Sequence, residues 1–101
     1  MQLEVVNTGN ALDGPLREYI GERLATVLGS MKRKIGSVTV RVGEVPADGG
    51  AVKQYCAITV RLNRGRTVTS VDLGEELLAT IDRVVDAATS AAEQQLKSHW
   101  W

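Results

Sequence analysis

From Asp72 to Trp101 the apolar residues fall at Leu77, Leu78, Ile81, Val84, Val85, Ala88, Ala92 and Leu96. Those spacings of three and four line up on one side of a helix. No Pro or Gly follows Gly74, so a single amphipathic helix is predicted from Asp72 onward, roughly 35 to 40 Å long if wholly helical. Asp72, three residues before Glu75, is expected to accept an N-terminal N–H. Glu75 would complement the positive end of the helix dipole. A helix of that length needs an apolar surface of similar length beneath it, and the remaining residues must supply that surface.

They read as strands around one further helix. Met1 to Val6 is a short β-prone run with Leu3 and Val5 on one side, broken by Asn7-Thr-Gly-Asn10. Asp13-Gly-Pro15 fits a helix start, since Asp caps well and Pro is tolerated in the first turn. Leu16, Tyr19, Ile20, Leu24, Val27, Leu28 and Met31 then trace an apolar stripe, bounded by Gly29 and Gly36. Ser37 to Val45 alternates, with Val38, Val40 and Val42 on one side and Thr39 and Arg41 on the other, as a half-buried strand does. After the turn Pro46-Ala-Asp-Gly-Gly50, the run from Val52 to Leu62 points Cys56, Ile58, Val60 and Leu62 inward. Asn63-Arg-Gly-Arg66 is a tight connection, with Gly65 available for positive φ. Thr67 to Val71 forms the last strand, Val68 inward. The order β-α-β-β-β-α defines an α+β fold: a four-stranded sheet whose last three strands form an antiparallel meander, with both helices on one face. At 101 residues the chain is read as a single domain, 1–101.

Catalytic apparatus is not visible. His99 is the only histidine, and Trp100 and Trp101 follow it at the terminus. Cys56 falls on an inward strand position, where a thiol without cationic neighbours stays protonated. As the sole cysteine it permits no internal disulfide, in keeping with a reducing compartment. Asp82 and Asp86, one turn apart, are read as solvated carboxylates rather than as a metal or acid/base pair. The glycines match neither a phosphate-cradling loop nor a dinucleotide fingerprint. No apolar run approaches the roughly 20 residues that span a bilayer, and the N-terminus lacks the basic-then-apolar pattern of a secretory signal. The expectation is a non-enzymatic protein without cofactor, metal, small-molecule substrate or membrane partner.

Charge is unevenly distributed. Twelve basic and twelve acidic side chains balance overall. Between Lys32 and Arg66, however, eight basic residues face only Glu44 and Asp48, a surplus of six cations that the rest of the chain offsets. Such asymmetry suggests a basic surface on an acidic body; a salt-balanced surface without a partner accounts for the same count.

Gly9-Asn-Ala-Leu-Asp-Gly-Pro-Leu-Arg-Glu-Tyr-Ile-Gly-Glu-Arg-Leu24 resembles the first helix of ribosome hibernation-promoting factors, also called ribosome-associated inhibitor A or protein Y. Glu76-Leu-Leu-Ala-Thr-Ile-Asp82 with Val84-Val-Asp86 is similar to the opening of their second helix, and the meander between the two also fits. The resemblance implies a fold like that of double-stranded-RNA-binding domains. It also implies a cytoplasmic stress factor that binds rRNA at the decoding region of the small ribosomal subunit and silences idle ribosomes. In the pattern of that family, Arg17 and Arg23 stand on the first helix where basic residues are expected. Lys32, Arg33 and Lys34 extend them at the helix end, where cations also suit the negative pole of the dipole. Arg64 and Arg66, at the last hairpin, are candidates for a second contact.

The second helix departs from the family pattern. Where members continue with several basic residues, this chain has Ala87-Ala-Thr-Ser-Ala-Ala-Glu-Gln-Gln95, leaving Arg83 and Lys97 as its cations and as its candidates for contact with RNA. An alternative therefore stands beside the first reading: a diverged module with the same fold that binds another protein or self-associates and does not bind ribosomes. Its contacts would be the small-residue pairs Ala87-Ala88 and Ala91-Ala92 of the second helix, or the Trp100-Trp101 end.

Overall fold

In the computed structural model, residues 1–7 and 14–98 are described. Strand β1 (Gln2–Asn7) leads to helix α1 (Gly14–Leu28) and a 3-10 helix (Gly29–Lys34). Strands β2 (Ile35–Pro46), β3 (Val52–Leu62) and β4 (Thr67–Gly74) follow, and helix α2 (Leu77–Ser98) closes the order. The strands lie β1-β2-β3-β4 in one mixed sheet. β1 runs parallel to β2, pairing Leu3 with Val38 and Val5 with Val40. A parallel pair needs a crossover, which α1 supplies. β2, β3 and β4 form the expected antiparallel meander.

The period-two residues meet the helix stripes as anticipated. Val38, Val40, Val42, Cys56, Ile58 and Val60 are fully buried on one face of the sheet. Against them pack Ile20, Leu24 and Leu28 of α1 and Ile81, Val84, Val85, Ala88 and Ala92 of α2. Each fully buried Ile, Leu or Val contributes about 1.5–3 kcal/mol, so this single layer holds the sheet and both helices together. Leu78 is the exception in the predicted stripe and stays 44% exposed. The core also takes up Ala88 and Ala92, so only Ala87 and Ala91 of the alanine pairs face outward. Asp13, His99, Trp100 and Trp101 lie outside the described residues.

The start of the second helix differs from expectation. Asp72 does not cap it: β4 continues through Gly74, with Asp72 paired to Cys56 and Leu73 to Tyr55, and the helix begins at Leu77. The Asp72 carboxylate accepts from the Leu73 N–H at 2.8 Å and from Arg83 Nε at 2.8 Å. Its inward position over the end of the sheet explains the difference, because Arg83 lies one helical face away and within reach. Gly74 makes this joint possible. A Cβ there would collide with Thr80 Oγ1 and press on Arg83 Nη2.

Candidate nucleic-acid interface

Both helices finish at the end of the sheet where the β3–β4 hairpin turns. The 3-10 helix carries Lys32, Arg33 and Lys34, all exposed, in the single exposed turn between α1 and β2. Met31, in the same turn, is buried in the core; it anchors the turn and leaves the three cations outside. Across from them the hairpin turn places Arg64 and Gly65 at φ 77° and 85°. The turn is fastened to the 3-10 helix by one residue. Asn63 donates its backbone N–H to the Lys34 carbonyl at 2.9 Å and its Nδ2 to the Arg33 carbonyl at 2.7 Å. Arg66, at the foot of the turn, donates to Gln95 Oε1 of α2 at 2.8 Å, and Lys97 stands exposed in the last turn of that helix.

Six of the nine predicted binding residues are thus gathered at one end: Lys32, Arg33, Lys34, Arg64, Arg66 and Lys97. Cations at two helix C-termini also stabilise those termini, so the cluster rests favourably on the fold as well as facing outward. The other three are held elsewhere. Arg17 donates to the Val5 carbonyl at 3.2 Å, tying α1 to β1. Arg23 bridges Asp82 at 3.1 Å and Asp86 at 3.3 Å. Arg83 is paired with Asp72 at 2.8 Å and reaches Thr80 Oγ1 at 3.4 Å.

Asp82 and Asp86 stay at the surface, their side chains 40% and 70% exposed as expected of solvated carboxylates, and are paired there with Arg23. Together with Tyr19, whose hydroxyl donates to Asp82 at 2.8 Å, they form a polar seam between α1 and α2. The hydrogen bond to Asp82, reinforced by partial burial, raises the Tyr19 pKa above its ordinary value, and the same carboxylate raises that of Arg23. Asp72 is shifted the other way: the Arg83 guanidinium first, and the Leu73 N–H second, hold its carboxyl below the usual range. Burial pushes the Cys56 thiol up to about 12, which keeps it protonated and unreactive in the folded protein.

Sequence reasoning passed over Asn63 and Gln95, which do not contact a ligand by charge but fix where the cations stand. An Asn opening a tight turn is a recognisable signal; its partners, about thirty positions earlier in the chain, are not. Among the described residues no group of three His, Cys, Asp or Glu side chains is placed to hold a metal ion, and no helix is long and apolar enough to cross a membrane.

Comparison with known proteins returned no matching family model and no matching curated protein. Solved structures do match. A ribosomal subunit interface protein from Coxiella burnetii covers 96% of this chain and 99% of its own length, with a TM-score of 0.80 at 14% identity. The N-terminal domain of Thermus thermophilus Protein Y covers 93% of this chain and 98% of its own, with a TM-score of 0.69 at 22% identity. The chain has their fold. Protein Y is one of the names of the family that the two helix strings resemble, so structure and sequence pattern point the same way over nearly the whole length. The likeness lies in the arrangement of elements.

Proposed function

We propose that this chain is a non-enzymatic, cytoplasmic ribosome-associated factor of the hibernation type. It would dock on rRNA of the small subunit at the decoding region and block translation there. The observation that carries this reading is the fastening of the hairpin turn to the 3-10 helix by Asn63, which presents Lys32, Arg33, Lys34, Arg64 and Arg66 from one platform. A rigid set of spaced cations suits a line of phosphates, because each neutralised phosphate releases counterions without further ordering of the protein. The two structural neighbours, a ribosomal subunit interface protein and a Protein Y domain, support the choice of partner.

The pairing of Arg23 and Arg83 with carboxylates moves the weight of the interface away from the helix faces and onto this end. With about six phosphate contacts, the logarithm of affinity should fall with the logarithm of salt at a slope of about −4 to −5. That loses a few hundredfold to a thousandfold between 50 and 200 mM salt. Co-sedimentation with purified small subunits across that range tests the reading, with the triple variant Lys32→Glu, Arg33→Glu, Lys34→Glu as the control. Binding at low salt that the triple variant abolishes is the expected result. Absence of binding at 50 mM salt, or binding indifferent to the three reversals, overturns it.

The same three ion pairs favour the second reading, a diverged interaction module, since they leave the α1–α2 face with Arg23 and Arg83 already satisfied. That reading expects no co-sedimentation under any salt condition.

A further inference from the structure

We infer that strand β4 is a self-recognition edge, at which a second copy of this chain adds antiparallel to form a continuous eight-stranded sheet. β4 is the last strand of the sheet. The Leu62 N–H donates to the Arg66 carbonyl at the mouth of the hairpin, and this sets the parity of the strand. Even-numbered residues turn their backbone groups to β3, while Thr67, Thr69, Val71 and Leu73 turn theirs outward. Among the described residues no backbone hydrogen bond joins that outer edge to another element; the Leu73 N–H is taken by the Asp72 carboxylate.

Edges of this kind are normally defended by Lys, Pro or a bulge. β4 has none of these over its eight residues. Its one charge, Asp72, is paired with Arg83. Apolar surface is concentrated here instead: Val71 is 56% and Leu73 46% exposed on the open face of the sheet, and Leu78 is 44% exposed in the first turn of the helix laid over the strand.

Charge selects a second copy as the occupant. The hairpin end of β4 carries Arg64 and Arg66, whereas its other end runs into Glu75 and Glu76, both exposed. An antiparallel pair centred on Val71 sets Val71 against Val71 of the second copy. It brings Thr67 level with Glu75 and Arg66 level with Glu76, so the basic end of each copy lies beside the acidic end of the other. The two cationic ends are then kept apart at opposite extremes of the joined sheet.

A cysteine at position 71 tests this directly. The Cα atoms of a hydrogen-bonded antiparallel pair lie about 5.5 Å apart, within the span of about 4.4–6.8 Å that a disulfide bridges. Under a mild copper oxidant, which removes two electrons and two protons from the thiol pair, Val71→Cys is expected to form a covalent dimer. Thr67→Cys is expected to remain monomeric, and the buried Cys56 stays silent in both. Sedimentation equilibrium of the otherwise unaltered chain should show a concentration-dependent dimer that weakens with salt. Val71→Lys should abolish it, as should Thr69→Pro, which removes an outward N–H. The circular dichroism of Val71→Lys should stay that of the parent, so that loss of the dimer is not loss of the fold. A chain that stays monomeric up to millimolar concentration overturns the inference. So does a dimer that survives Val71→Lys, or one lost only on truncation after Ser98.

Discussion

The hydroxyl of Tyr19 donates a 2.8 Å hydrogen bond to Asp82 across 63 residues of sequence, and Arg23, one turn further along α1, donates to the same carboxylate oxygen at 3.1 Å. This shared oxygen is where the two helices meet through polar groups. Tyr19→Phe removes one donor and leaves the ring, so stability should fall by only about 0.5–1 kcal/mol, the worth of one partly solvated hydrogen bond. The Tyr19 pKa is raised in the fold. Its contribution is therefore complete below the ordinary tyrosine value near 10 and is lost as pH rises through the higher folded value. Thermal melts at neutral pH and above pH 10, compared for the two proteins, check both statements: the difference should shrink in strong base.

Freeing Arg23 tests the interface from the opposite side. The double variant Asp82→Asn, Asp86→Asn removes both of its carboxylate partners. It should melt lower than the parent, yet bind small subunits more tightly and with a steeper salt dependence, by about one unit of slope for the one added phosphate contact. Sedimentation at two salt concentrations reads this out. Weaker binding would mean that the seam serves the interface only by holding α1 in place.

Asp72 gives the pH dependence at the acid end. Its carboxyl is held below the usual range in the folded chain by Arg83 and the Leu73 N–H. The stabilisation is present above the unfolded value near 4 and disappears as pH falls through the lower folded value. Urea titrations of the parent and Asp72→Asn should differ at pH 7 and converge as pH falls through the lowered folded value.

Arg64 and Asn63 separate charge from geometry. Arg64→Gly relieves a left-handed backbone that costs a side-chain-bearing residue roughly 1–2 kcal/mol, against about 0.5–1 kcal/mol of added chain entropy for Gly. Weaker subunit binding at little cost in stability is expected. Asn63→Ala leaves every charge in place and keeps the backbone bond to the Lys34 carbonyl, but removes the side-chain bond to the Arg33 carbonyl. It should cost about 0.5–1.5 kcal/mol and weaken binding without altering net charge. Equal binding by Asn63→Ala and the parent would show that the platform needs no such fastening.

The architecture was legible wherever burial imposed a period. Ile20, Leu24 and Leu28 are spaced by four, and Val38 to Val42 and Cys56 to Val60 alternate by two, because one side of each element faces the same layer. What failed was local chemistry whose partner lies far along the chain. Asp72 has the residue type and spacing of a helix cap, and only the pairing of Leu73 with Tyr55 shows that the strand has not yet ended there. The ion pairs of Asp82 and Asp86 do not show in a helical projection because Arg23, 59 and 63 residues earlier, does not enter it. The cationic cluster was legible in composition but not in membership. Which arginines are already spoken for depends on neighbours that only the folded chain brings close.

Asn63 grips its neighbour entirely through main-chain oxygens, those of Arg33 and Lys34. Neither bond depends on which side chains occupy positions 32 to 34. Mutation can therefore add or strip positive charge at that corner while both fastening bonds hold, so affinity for a polyanion can drift over generations with the fastening intact.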